Sequence, residues 1–275
     1  MPEKKFRRKI KAYYTENVAK EWRRLKSAAL PKLEFDTTMH LLKRYLPKRG
    51  LILDAGGGPG RYAFTLAKSG YEITLFDFTK ANLDFAVRKA KREHLQNKLK
   101  LTAEGSLNDL SIFKSNSFDA VICLGGPLSH VMSRAKREKA AEELIRVAKH
   151  GAPILVSVMN SMSSMIGFVR RFQNELEASY FNDYLETGDY PGGYGFTAFH
   201  GFKPEELEHL FEDKDVNIMG IFALEGFASY SDAELGKLRR NPRRFNIWMK
   251  AHYKTINHPS SIGISQHMMI VCRKR

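Results

Sequence analysis

Cysteine is nearly absent: Cys123 and Cys272 are the only two among 275 residues. Two cannot build a disulfide framework, and their separation is not that of metal ligands, so neither a stapled scaffold nor a metal centre is expected. Long apolar runs are missing as well. None approaches the roughly 20 residues that a bilayer-crossing helix requires, so no integral membrane segment is expected. The opening MPEKKFRRKIKAYY is basic but is followed by no apolar stretch, unlike a secretory signal. Repeats and low-complexity tracts are also lacking. A reduced, cytoplasmic protein is the expectation. Acid is missing from residues 237–275, which carry 10 Lys/Arg.

What is present is apolar content for a sizeable core, 43%, and a formal charge of +15. That charge is uneven. Residues 1–50 hold 15 Lys/Arg against 5 Asp/Glu, whereas residues 51–236 hold 20 against 25. A mildly acidic centre between two basic ends suits an anionic partner; a solvated basic surface is the plainer alternative.

Residues 6–25 place Phe6, Ile10, Tyr13, Tyr14, Val18, Trp22 and Leu25 at helical spacing, which predicts one amphipathic helix. A second helix is expected from about Leu33 to Tyr45, stopped by Pro47. Strands and helices then alternate: LILDA, RYAFTLAKSG, EITLFD, ANLDFAVRKAKREHL, KLTAE, FDAVICLGG, AKREKAAEELIRVAKHG and APILVSVMN. This alternation predicts an α/β protein, a doubly wound and mostly parallel sheet with helices on both faces. PEELEHLFE reads as a helix, NIMGIFALEG as a strand, residues 231–258 as helix broken at Asn241-Pro242, and ISQHMMIVCRK as the last strand. The expected organisation is a helical cap over 1–48 and one domain over 49–275, with insertions at about 161–200 and 228–260.

The informative stretch is LILDAGGGPGRYA, residues 51–63. A strand ends in Asp54, and four of the next six residues are glycine. Glycines between a strand and a helix let backbone N–H groups approach a ligand without Cβ atoms in the way. The dinucleotide pattern G-x-G-x-x-G/A fits here only as Gly58-Pro59-Gly60-Arg61-Tyr62-Ala63. It then puts Pro59, which has no N–H, in the diphosphate loop, with Asp54 positioned to repel the phosphates. A cationic ligand suits this strand end better.

The segment D-A-G-G-G-P-G-R-Y resembles the first motif of class I S-adenosylmethionine-dependent methyltransferases, D/E-x-G-x-G-x-G. Asp54, Gly56, Gly58 and Gly60 occupy all four motif positions. The resemblance covers about residues 50–160, and more loosely the closing strands, where the family has an antiparallel seventh strand. It implies a Rossmann-like seven-stranded sheet and S-adenosyl-L-methionine as cofactor, with Gly57 also in the binding loop. Asp77, 21 residues after Gly56, would take both ribose hydroxyls, and Phe78 would cover the adenine. Ser106 stands where many relatives have an acid for the adenine amino group, which passes that contact to its hydroxyl and to the Leu107 backbone. Leu124 and Gly125, at the end of the fourth strand, complete the expected cofactor set.

The acceptor is less legible, because methyl transfer needs alignment and water exclusion more than dedicated catalytic groups. His130, in GGPLSHV, is the candidate base, against a packed structural histidine. Tyr194 and His200 are candidate substrate contacts. The tyrosine- and glycine-rich stretch around them would form a mobile lid or bury its own rings. Tyr13 and Tyr14 would close over the cofactor or simply pack their helix. Cys123 reads as core. No D/N-P-P-Y/F motif follows the fourth strand, which argues against adenine-N6 or glutamine acceptors. The leading expectation is methyl transfer to a small or medium-sized acceptor, an anionic one suiting the basic ends. RNA methylation through those ends is an alternative, as is a non-catalytic cofactor sensor or membrane-surface protein using the helix of Trp22. Oligomeric state is left open.

Overall fold

The computed structural model describes residues 3–193 and 196–275. The N-terminal stripe forms two helices, α1 (Glu3–Glu16) and α2 (Val18–Arg24), where one was expected. Asn17 separates them with a non-helical φ of −109° and ψ of 18°, while its side-chain amide shares the Tyr13 carbonyl at 2.8 Å with its own backbone N–H at 3.1 Å. The next helix, α3 (Ala29–Tyr45), begins earlier than Leu33 because Pro31 falls in its first turn, where a missing N–H is harmless.

Alternation then follows the sequence pattern: β1 (Leu51–Ala55), α4 (Arg61–Lys68), β2 (Glu72–Asp77), α5 (Lys80–Arg92), β3 (Leu99–Glu104), β4 (Ala120–Cys123), α6 (Arg134–Val147) and β5 (Pro153–Met159). After β5 come α7 (Ser161–Arg170), α8 (Phe181–Thr187), and a small ladder of β6 (Asp189–Tyr190) with β7 (Phe199–His200). The chain closes with α9 (Pro204–Glu212), β8 (Val216–Ala223), α10 (Asp232–Arg239), α11 (Pro242–Thr255), α12 (Pro259–Ile264) and β9 (His267–Lys274). The break between α10 and α11 falls at Asn241-Pro242, as read, whereas α12 was not foreseen.

The seven-stranded sheet has the order β3-β2-β1-β4-β5-β9-β8. The first five strands are mutually parallel, and β9 runs antiparallel to both β5 and β8. Side chains alternate between faces: Leu53, Val121 and Cys123 pack on one side, Ile52, Ile122 and Leu155 on the other. Each such burial contributes about 1.5–3 kcal/mol, and both cysteines are buried and free, within the core. The strand order reverses between β1 and β4, and a crevice opens there at their carboxyl ends. Among the described residues no helix is long and apolar enough to cross a membrane.

The insertion after β5 folds on itself. Phe168, Tyr184 and Tyr190 are buried together, with Tyr180, Phe181 and Phe199 packed against them. Its far end meets the N-terminal helix: Phe196 stands edge-on to Tyr13 at 5.4 Å, and Lys9 donates to the Pro191 and Gly192 carbonyls at 3.0 and 2.8 Å. The helix α1, one wall of the crevice, is thus braced from outside by the insertion.

Candidate active site

The crevice is a cavity bounded by the glycine loop after β1, the ends of β2 and β4, the turn after β3, and helices α1 and α2. The glycine loop is shaped by its neighbours. Gly56 has φ +75°, and a Cβ there would sit 2.4 Å from the Cβ of Pro127. At Gly57 a Cβ would lie 2.5 Å from the carboxyl carbon of Asp54. Gly56, Gly57 and Gly58 line the cavity, as do Asp77, Phe78, Ser106, Leu107, Leu124 and Gly125.

Two members of the expected cofactor set lie elsewhere. Gly60 caps α4, off the cavity wall. Asp54 lies beneath the loop, 0% exposed, with Gly57 between it and the cavity. Neither Asp54 oxygen completes a hydrogen bond. Burial pushes its carboxyl up to about 7; the Ala63 amide in the first turn of α4 pulls against this, and Asp77 adds to the rise. Asp54 therefore stands one layer behind the cavity wall, with the Gly57 peptide in front of it.

Asp77 is held from three sides. Its Oδ1 accepts from the Thr79 amide at 2.8 Å and Asn82 Nδ2 at 3.2 Å, and its Oδ2 accepts from the Gly58 amide at 2.9 Å. Burial raises its pKa, and these donors only partly offset that. A carboxylate offers about four acceptor positions, so three internal donors leave one, on Oδ2. Asp77 therefore has less acceptor capacity left than two sugar hydroxyls would use. The second acceptor is Asn82 Oδ1, buried, without a partner and on the cavity wall. Asn82 went unnoticed in the sequence; the available signal was an amide five residues after the acid, on the inner face of α5. At the turn after β3, Ser106 Oγ donates to Asn108 Oδ1 at 2.6 Å, so a polar pair stands where the family resemblance implies an acid.

His130 lines the cavity as expected, but both ring nitrogens are engaged. Its Nδ1 is 2.8 Å from the Ala198 carbonyl, which can only accept, so Nδ1 carries the proton. Burial lowers its pKa to about 4, the Ala198 bond opposing, so the ring is neutral and Nε2 is bare. Nε2 then accepts from the Tyr14 hydroxyl at 2.7 Å. His130 orients Tyr14, and its basic nitrogen does not face the cavity unoccupied.

The two expected substrate contacts fare differently. His200 does not line the cavity: Nδ1 pairs with Asp189 at 2.6 Å and Nε2 with Glu206 at 2.8 Å. Burial disfavours its charge, but Asp189 and then Glu206 more than reverse this and raise its pKa. Its role is to tie the β6–β7 ladder to α9. Tyr194 lies outside the described residues.

The remaining wall comes from α1 and α2. Tyr14, Glu21 and Arg24 line the cavity, and Arg24 Nη2 approaches within 3.2 Å of where a Gly125 Cβ would be. Arg24 forks onto Glu34, Nη1 to Oε2 at 2.6 Å and Nη2 to Oε1 at 3.0 Å. Behind Glu34, the Nδ1 of His267 lies 3.9 Å away and donates to Glu225 at 2.7 Å. Glu21 and Arg24 were missed because their helix was read by its apolar stripe. The signal was two charges lying on that stripe, between Tyr14 and Leu25.

Comparisons with known proteins agree with this geometry. Residues 52–151 match the family described as a methyltransferase domain. A glycine/sarcosine N-methyltransferase from Parasynechococcus marenigrum (strain WH8102) is 28% identical over 148 residues, 54% of this chain and 51% of that protein. The chain thus spans about half the length of that curated relative. Among solved structures, a SAM-dependent methyltransferase from Methanosarcina mazei aligns with TM-score 0.60 at 20% identity, covering 85% of this chain and 96% of the other. The [4+2]-cyclase SpnF aligns at 0.55 and 16% identity, covering 88% and 80%. One fold thus carries differently named activities, and the site has to decide between them.

Proposed function

Since residues 52–151 are a methyltransferase domain of the class I S-adenosylmethionine-dependent family, we propose that this chain methylates the nitrogen of a small amine. The observation that carries this reading is Asp54, a buried carboxyl whose oxygens complete no hydrogen bond, beneath a backbone loop in which a Cβ at Gly56 or Gly57 would collide with Pro127 or with Asp54 itself. An anion so placed favours a cationic ligand. Asp77 and Asn82 would hold the ribose. Phe78, Leu107 and the Ser106–Asn108 pair would hold the adenine. The Gly56 and Gly125 backbones and the outer N–H of Arg24 would hold the amino-acid end. When bound, the cofactor supplies a methyl carbon made electrophilic by its sulfonium.

The chain's own part is alignment and exclusion of water. The α1 helix walls the cavity, held by the Tyr14–His130 contact and backed by Phe196 and Ala198 through Tyr13 and His130. The choice of an amine rests on charge. Lys4, Lys5, Arg8, Lys9 and Lys11 of α1 are exposed to solvent. The cavity wall carries Asp77 and Glu21, with Asp54 beneath the loop, and the cations Arg7, Arg24 and Arg61; Arg24 is matched by Glu34, Arg61 lies 3.6 Å from the Trp22 ring centroid, and Arg7 is exposed to solvent. This interior favours a neutral or cationic acceptor over the anionic one suggested by the basic ends. The name of the Parasynechococcus marenigrum relative, a glycine/sarcosine N-methyltransferase, supports nitrogen as the accepting atom.

Calorimetry is expected to show binding of S-adenosylmethionine and S-adenosylhomocysteine but not NAD, and labelled methyl should appear in a pool of small amines. With Asp54 near 7 in the free protein, a nearby sulfonium favours the carboxylate, so binding releases protons below that pH. Affinity for S-adenosylmethionine should therefore rise from pH 6 to pH 8, more steeply than for the uncharged thioether product. Parallel pH profiles, or NAD binding, would count against the assignment.

Asn82→Ala is expected to weaken S-adenosylmethionine binding by about 0.5–1.5 kcal/mol, the worth of one neutral hydrogen bond. Unchanged affinity by calorimetry would return the whole ribose contact to Asp77.

A further inference from the structure

Resting on the amine reading, we propose that Glu21 holds the acceptor nitrogen, through an N–H···O contact at the α1–α2 wall of the cavity. The wall there presents acceptors. Tyr14 gives its only proton to His130 Nε2 at 2.7 Å, so its oxygen offers lone pairs to the cavity. His130 has no N–H left, because Nδ1 is committed to the Ala198 carbonyl. Glu21 lines the same cavity with a side chain only 14% exposed. Its nearest cation, Arg24 Nε, is 3.6 Å away, beyond hydrogen-bond length, and the Arg24 fork is already taken by Glu34. The lone pairs of Glu21 are therefore unused among the described residues, and its charge acts on the Tyr14 phenol beside it. A ligand meeting these two oxygens has to bring N–H or O–H donors, and a primary or secondary amine brings donors on the reacting atom itself.

Charge gives the same answer. In transfer to an amine, the nitrogen lone pair forms the N–C bond and the C–S pair returns to sulfur. Positive charge thereby passes from sulfur to nitrogen, and the proton leaves afterwards to water. A carboxylate fixed beside the nitrogen stabilises that change. The same carboxylate would disfavour a carboxylate or phosphate acceptor at this position.

The test uses the full chain saturated with S-adenosylhomocysteine, dimethylammonium as the probe, and ligand-observed NMR. The wild type is expected to bind dimethylammonium. Glu21→Gln should weaken that binding by at least about tenfold, the loss of a charge-assisted bond, while S-adenosylhomocysteine affinity stays within about twofold. Glu21→Asp, which keeps the charge but shortens the reach, should fall between and serves if the Gln variant folds poorly. Equal dimethylammonium binding by wild type and Glu21→Gln would overturn the role of Glu21 and leave the amine reading standing. No binding to the wild type would overturn both.

Discussion

Glu34→Ala is expected to cost about 1–3 kcal/mol of stability, because it leaves the partly buried Arg24 and His267 charges without their shared partner. Glu34 is 1% exposed and receives both arms of the Arg24 fork, with His267 behind it. Burial works against the Glu34 carboxylate, yet Arg24 and then His267 bring its pKa below the ordinary value. Burial likewise works against the Arg24 charge, and Glu34 more than restores it. Without Glu34, Arg24 keeps only the 3.6 Å approach of Glu21. Because the pair joins α2 to α3 over the cavity, urea denaturation should show an earlier midpoint, with the N-terminal helices loosened first. The double variant Arg24→Met with Glu34→Leu should recover much of the loss, since neither charge is then buried alone. A loss under about 1 kcal/mol in Glu34→Ala would mean the pair is effectively solvated.

The pH dependence of this cluster has a definite sign. The contribution of Glu34, whose pKa is depressed, is present above its ordinary 4.5 and fades as pH falls through the lowered value. His267 runs the other way. Burial opposes its charge, Glu34 and Glu225 outweigh that, and its pKa is raised. Its contribution is complete below 6.5 and fades as pH climbs through the raised value. Wild-type stability should peak between these limits, and Glu34→Ala should flatten both flanks.

Asp77→Ala should weaken S-adenosylmethionine binding by about 1.5–3 kcal/mol, roughly 10- to 150-fold in Kd. Two losses combine. The free acceptor position on Oδ2 disappears, and the Gly58 and Thr79 amides and Asn82 Nδ2 lose the group that fixes them. Asp77→Asn removes a buried charge whose pKa burial raises, but it also turns an NH2 toward either the Gly58 amide or the Thr79 and Asn82 donors, so it should weaken both cofactor binding and folding. Calorimetry together with thermal melts at pH 7 separates the two effects. Undiminished affinity in Asp77→Ala would remove the ribose assignment.

Much of this site was readable from residue order because its parts are local. Strand period, a terminal acid and closely spaced glycines place Gly56, Gly57 and Gly58 at the end of β1, and the next strand places Asp77 beside them. Such features depend on backbone conformation over a few residues, which the chain encodes directly. The later insertion was less legible: its aromatics fit an open lid and a self-buried cluster equally well, and the cluster is what formed.

Sequence alone determined the α/β alternation, the cradle and the chemistry of the ligand it suits. Tertiary structure decided which groups face that ligand. It paired Tyr14 with His130 across 116 residues, set Arg24 beside Gly125, and closed Arg24, Glu34 and His267 into one buried cluster. It also drew His200 away from the cavity to Asp189 and Glu206 and slid Asp54 beneath Gly57. The reason is physical: side chains distant in the chain meet only after the sheet is assembled, and which buried charges survive depends on partners that no local spacing specifies.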